Sequence, residues 1–287
     1  MTGFQGIAAA FSGTCDPRAE TWLLMGNPIP LLLLLLGYVL FASWWAPRLM
    51  AHRDPLPVRR LVQVYNLLMV LWNGYFVVTF MRQSYFHEDE KKRYSWLCQG
   101  ADFSSEGLPL LTTTWWFLVM KIAELLDTVT FVLTKNFGHI STLHVFHHAS
   151  VVAVVWTLVQ TGVQGQNVLP MAFNALVHVI MYTYYFLTTL GPEVRKRLWW
   201  KRYLTLFQMA QLASFVIFGT VPLFVDCGFP RPMSAIIIGE PAVLLVMFSA
   251  FYPTRSLPMT CRREKGLIGK FSVKLSTLSF GVILYEG

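Results

Sequence analysis

Apolar residues along this chain come in long runs rather than in the short alternating patterns of a soluble fold. Seven runs, near 31–50, 61–81, 112–134, 142–160, 168–190, 203–225 and 236–252, have about the length a helix needs to cross roughly 30 Å of hydrocarbon. The first opens as six consecutive leucines at 31–36. Periodicity alone does not separate a buried core helix from a membrane span, but seven such runs in 287 residues do. The connections are short. The longest, 82–108, mixes Glu88, Asp89 and Glu90 with Lys91, Lys92 and Arg93 and reads as a solvated face. Gly162 and Gly165 mark a tight turn, and Gly191-Pro192 a helix stop. The pattern predicts an all-α membrane protein of about seven transmembrane helices. Residues 1–27 form an N-terminal tail, 28–255 the seven-span domain and 256–287 a C-terminal tail.

Composition agrees. Hydrophobic residues make up 55% of the chain and charged residues 13%, about half the charged share of a typical soluble domain. No basic stretch precedes an early apolar run, so no cleavable signal is expected. Charge placement sets the orientation. With these spans, sixteen basic residues fall on the side of the C-terminal tail, among them Arg195, Lys196, Arg197, Lys201 and Arg202, and six on the other. The positive-inside rule then places the C-terminus in the cytosol and the N-terminus across the membrane, which an odd number of spans satisfies. The net charge of +8 is therefore mostly a topology signal, and no nucleic-acid partner is expected. Cys98 and Cys227 fall on the non-cytosolic side, where an oxidising lumen would let them pair, although spacing does not show that they meet. Cys261 faces the reducing cytosol, and Cys15 carries no signal.

Four of the runs interrupt their apolar character in a regular way. The third contains Lys121, Glu124 and Asp127, within an arc of about 120° on one helix face. Near mid-membrane each costs roughly 2.5–3.5 kcal/mol on insertion scales, so they face protein or water rather than lipid. A self-satisfied ion cluster, with Lys121 and Glu124 paired at i,i+3, is the bland reading. The fourth run opens with His144, His147 and His148, three imidazoles on one face. The fifth carries Asn174, His178, Tyr182 and Tyr185 at intervals of 4, 4 and 3, and the sixth Thr205, Gln208 and Gln211 at intervals of three. Four consecutive spans with inward polar stripes describe a site.

Histidine clusters suggest a metal first. Of seven histidines, however, His52 and His87 fall in loops and His139 before the fourth span, which leaves too few for a di-iron desaturase centre. The i,i+3,i+4 triple also supplies three ligands poorly from one helix turn. No metal and no cofactor is expected. Imidazole can instead act as base or nucleophile. A seven-helix receptor or transporter would explain the spans and intramembrane charges, but not the clustered histidines.

These stripes resemble the very-long-chain fatty acid elongase (ELO) family. Its KxxExxDT pattern is matched by Lys121, Glu124, Asp127 and Thr128, and HxxHH by His144, His147 and His148. NxxxHxxMYxYY is matched by Asn174, His178, Met181, Tyr182, Tyr184 and Tyr185, and TxxQxxQ by Thr205, Gln208 and Gln211. The resemblance implies a multi-pass enzyme of the endoplasmic reticulum, its N-terminus lumenal, with six spans in an inverted barrel around an acyl tunnel. It implies a lumenal disulfide near Cys98 and Cys227. The implied reaction joins a long-chain acyl-CoA to malonyl-CoA, giving 3-oxoacyl-CoA, CoA and CO2. Membrane lipid, a homodimer and the other enzymes of the elongation cycle are the further partners it implies. Residue chemistry then assigns His147 as the acyl-accepting nucleophile, oriented by Asn174 or His178. His178 assists the second half-reaction, and His144 and His148 orient the cluster. Lys121 with Gln211 would meet the thioester or carboxylate, and Glu124, Asp127, Asn174, Tyr182, Tyr185 and Gln208 complete the substrate site. The Val145-Phe146 context resembles the polyunsaturated-substrate branch. The end of the chain, Leu284 to Gly287, lacks the family's dilysine-type signal, so either another retention signal or an atypical tail is expected.

Overall fold

A tight lysine–glutamate–aspartate stripe in an apolar run forces the helix that carries it to be specialised, and the backbone shows how. The computed structural model describes residues 15–256, so the C-terminal tail from 257 and the first fourteen residues lie outside the described residues. Among the described residues the chain is helical throughout, with no strands. The helices, in chain order, are α1 (Ile29–Met50), α2 (Arg59–Gln83), α3 (Leu108–Ala123), α4 (Leu126–Leu133), α5 (Thr142–Thr161), α6 (Val168–Thr188), α7 (Pro192–Lys196), α8 (Lys201–Phe224) and α9 (Arg231–Ser256). Six of them are long and apolar enough to span a membrane. The run expected as one span over 112–134 is instead divided into α3 and α4. The amides of Leu125, Asp127 and Thr128 bond back three residues, to Ile122, Glu124 and Leu125. Such a turn brings residues i and i+3 into register, so the tightening narrows the arc over which Lys121, Glu124 and Asp127 spread.

Loop contacts divide the connections between two ends of the bundle. At one end Asp16 N bonds Gln160 O, Gln99 N bonds Gln166 Oε1, and Arg18 Nη1 donates to the carbonyls of Asp102 and Ser104. Cys98 and Cys227 form a disulfide at this end, their Cα atoms 5.9 Å apart. At the other end Leu56 N bonds Leu133 O, and Arg59 and Gln63 both donate to Thr189 O. The broken pair α3–α4 therefore runs from one end of the bundle to the other, as a full span would. It is a multi-pass all-α membrane protein.

Burial is inverted relative to a soluble protein. Leu32, Leu33, Leu36, Leu71, Ile217 and Val246 are exposed, whereas Lys121, Glu124 and Asp127 are 1%, 2% and 4% exposed. Apolar side chains cover the outside because lipid is the solvent there, and the charges turn inward because lipid cannot solvate them. Helix α6 packs along α2 and α3 along α5, while α1 touches α5.

Local sequence explains the elements that carry the site. Ser141 Oγ accepts the amide of His144 and caps α5, which fixes the first turn holding the histidines. Gly162 ends α5 in the left-handed region at φ 69°, and a Cβ there would also run into the Asp16 carboxylate. In α1 the turn before Pro47 widens into a π-turn over Phe41–Trp45, a usual response to a residue that cannot donate to the helix ladder. Of the described residues, 15–248 belong to one compact unit.

Candidate active site

The polar stripes converge between α3–α4, α5 and α6. Lys121 Nζ lies 3.0 and 3.1 Å from the two oxygens of Glu124, with the Phe117 ring 4.8 Å away on its other side. The self-satisfied i,i+3 pair thus forms. Glu124 Oε1 also lies 3.0 Å from His178 Nδ1, close enough for an ion pair but not aligned as a hydrogen bond. Asp127 accepts a hydrogen bond from Tyr182 Oη at 2.8 Å, and His148 Nε2 stands 3.8 Å from the same oxygen. Tyr65 from α2 packs edge-on against Tyr182.

The four histidines have different surroundings. His144 Nε2 lies 2.9 Å from Thr128 Oγ1, which in turn lies 3.0 Å from Tyr38 Oη on α1. His148 faces Asp127 and His178 faces Glu124. His147 Nδ1 is buried without a hydrogen-bond partner. The rings form a continuous group, with centroids 4.4 Å apart for His144–His148, 5.5 Å for His147–His148 and 6.4 Å for His147–His178. Among the described residues no group of three or more His, Cys, Asp or Glu side chains is arranged to hold a metal ion.

His147 stands on the wall of a cavity of about 90 Å³ lined by residues of α3, α5, α6, α8 and α9. Below it the wall is apolar, formed by residues such as Val151, Val155, Leu158, Met171, Phe215 and Leu244. Of the site residues expected from sequence, His147 and Asn174 line this cavity. Lys121, Glu124, Asp127, Tyr182 and Gln211 are buried behind it, Gln208 Nε2 contacts Met181 Sδ at 3.7 Å, and Tyr185 packs edge-on against Tyr182. Asn174 Oδ1 and His147 Nδ1 are both buried without a hydrogen-bond partner, and the His147 and His178 ring centroids are 6.4 Å apart.

Comparison with known proteins bears on what this arrangement is. Residues 23–257 match the family described as ELO: GNS1/SUR4, which covers all four polar stripes. The chain belongs to the ELO family. Very long chain fatty acid elongase 4 of Homo sapiens is 36% identical over 239 residues, 83% of this chain and 74% of that protein. A very long chain fatty acid elongase of Aedes aegypti is 34% identical over 239 residues, and the chain spans 66% of its length. Very long chain fatty acid elongase 5 of Mus musculus is 33% identical over 247 residues, 85% of this chain and 79% of that protein.

In this ELO protein several polar residues stand at the site without having been singled out by spacing. Tyr38 and Tyr65 come from the first two spans, where a lone tyrosine carries no periodic signal. Ser150 and Glu240 are bonded to each other at 2.9 Å beside the cavity. Glu240 is the only acid in the stretch 231–252, so the rule that exposed the α3–α4 charges would have found it too.

Proposed function

We propose that this protein is the condensing enzyme of fatty acid elongation, a 3-oxoacyl-CoA synthase working through an acyl-imidazole on His147. The observation that carries this reading is a buried, partnerless imidazole nitrogen at the head of a long apolar cavity. A nucleophile needs a free lone pair and a place for the substrate beside it, and among the four histidines His147 alone lines the cavity. From His147 to Leu158, both on its wall, α5 rises about 16 Å, the length of roughly a dozen methylenes.

In the first half-reaction an imidazole nitrogen of His147 attacks the thioester carbonyl. The C–S bond breaks, and CoA leaves with the imidazole proton. In the second, malonyl-CoA loses CO2 and the C–C electron pair remains as a carbanion. That carbanion attacks the acyl carbon, the C–N bond breaks, and the imidazole takes back a proton from solvent as 3-oxoacyl-CoA forms. His178, beside Glu124, is assigned to assist this step, and Gln211 keeps a buried Nε2 without a partner. Arg195, Lys196, Arg197 and Lys201 are exposed at the end of the bundle shared with Thr189, and attract the CoA phosphates.

The basic excess at that end supports a cytosolic mouth, and the Cys98–Cys227 disulfide at the other supports a lumenal face in the endoplasmic reticulum. The test is condensation by the purified protein in detergent with acyl-CoAs of several lengths, labelled malonyl-CoA and no reductant. Labelled 3-oxoacyl-CoA with stoichiometric CO2 is the expected result. Folded protein that makes neither from any acyl-CoA would end this reading.

Tyr38 gives a narrower check. Its hydroxyl reaches His144 only through Thr128, so Tyr38→Phe should lower kcat about threefold to tenfold with KM little changed, at a stability cost of about 1 kcal/mol. Unchanged kcat would show that α1 does not position the histidine cluster.

A further inference from the structure

The cavity that runs down from His147 contains a carboxyl group. On α9 the residues Ile237, Glu240, Pro241 and Leu244 turn onto it, the spacing of one helix face. Helices α8 and α9 otherwise present only apolar side chains and Gly219 to its interior. Among the described residues the one partner of Glu240 is Ser150, whose Oγ donates to Oε1 at 2.9 Å. A carboxyl with a single hydrogen-bond partner in an apolar, membrane-embedded wall is costly, and a residue at such a depth is more often there for what it binds than for packing. A carboxyl has two oxygens to satisfy, and Oε2 has no protein partner among the described residues. A second polar group lies one turn away on α9. Pro241 has no N–H, so the Ile237 carbonyl lacks its helix partner there.

The depth of this polar spot is set by α5. Ser150 follows His147 by three residues on α5, so it lies about 4.5 Å further from the helix start. The wall continues in the same direction through Val154 and Leu158. A chain joined to His147 through its first carbon would therefore pass Glu240 at roughly carbons four to six.

We propose that Glu240, braced by Ser150, is a specificity-determining residue that hydrogen-bonds a hydroxyl on this part of the acyl chain, so that the protein selects oxygenated acyl chains over plain ones. The inference rests on the condensing reading above. A plain methylene chain seated here leaves the carboxyl dry and half-satisfied, and a chain with a hydroxyl at that depth completes it. Sites built to hydrogen-bond a substrate hydroxyl discriminate strongly against the analogue that lacks it.

The experiment compares palmitoyl-CoA with its analogues hydroxylated at C6 or near the methyl end. Each is measured for condensation (kcat/KM) and for binding, read as thermal stabilisation of the purified protein. Wild type should favour the C6-hydroxylated chain over the plain one by about tenfold or more, with no preference for the hydroxyl at the far end. Glu240→Met should bring the C6 preference close to unity and improve use of the plain chain. Glu240→Gln, which keeps donor and acceptor atoms, should retain most of the preference.

A wild-type enzyme that treats the C6-hydroxylated and plain chains alike overturns the proposal, as does a Glu240→Met variant that keeps the wild-type ratio. Either result would leave Glu240 as a strut between α5 and α9. If Glu240→Met does not fold, the wild-type ratio and the Glu240→Gln variant decide. Binding separates the two levels of the argument. A C6 preference in binding without turnover of any chain would keep the subsite and end the condensing reading, whereas turnover without preference would end the subsite alone.

Discussion

His147→Ala should abolish condensation, lowering turnover by about a thousandfold or more, while the protein remains folded. The two halves of this expectation have separate causes. His147 lines the cavity, and its Nδ1 makes no hydrogen bond that the fold would miss. Removing the ring therefore costs packing only, about 1–2 kcal/mol for a half-buried side chain facing a void. Activity is lost because no neighbour can take over the attack. His144 is held by Thr128, while His148 and His178 stand beside Asp127 and Glu124. Mass spectrometry of wild type incubated with acyl-CoA alone should find the acyl group on the peptide bearing His147 and none in the variant. A variant that condenses within about tenfold of wild type would remove His147 from the nucleophile's role. The same experiment with His144→Ala should lose less activity but more stability, because that change strands Thr128 and Tyr38.

The contrast between these histidines also shows what the sequence could and could not disclose. That Lys121, Glu124, Asp127 and the histidines face one another was legible, because a charge in an apolar run has nowhere else to go. The common side of Cys98 and Cys227 was legible for a related reason, since counting spans assigns every loop to one face. The tightened turn between α3 and α4 was not, because it depends on backbone bonds to i−3 that leave the apolar run intact. Nor does spacing alone separate His147 from His148. They are adjacent in the chain and share a helix face, yet one borders the cavity and the other an aspartate. Only the cavity that α8 and α9 line together with α5 separates them. Tyr38 shows the limit from the other direction. It reaches the site from a position 90 residues before Thr128, in a helix that exposes Leu32, Leu33, Leu36, Leu40, Trp44 and Trp45.

Breaking the Lys121–Glu124 pair should be the most destabilising single change in the bundle. Both side chains are almost fully buried, at 1% and 2% exposure. Lys121→Met leaves Glu124 with His178 as its remaining partner, and Glu124→Gln leaves an ammonium against the Phe117 ring. Removing one member of a buried pair costs about 3–5 kcal/mol, because the other charge is left uncompensated. For a chain of this size that corresponds to a fall of roughly 10 °C in the midpoint of thermal unfolding. The double variant Lys121→Met with Glu124→Leu should recover much of the stability, since a buried ion pair is worth little against well-packed apolar side chains. It should not recover activity, because His178 then has lost the carboxylate beside it. That split is the reason to make the double variant. Recovery of both stability and turnover would show that the pair only holds the bundle together. Single variants as stable as wild type would show that the charges are not a structural pair and that Lys121 is available to meet the carboxylate of malonyl-CoA.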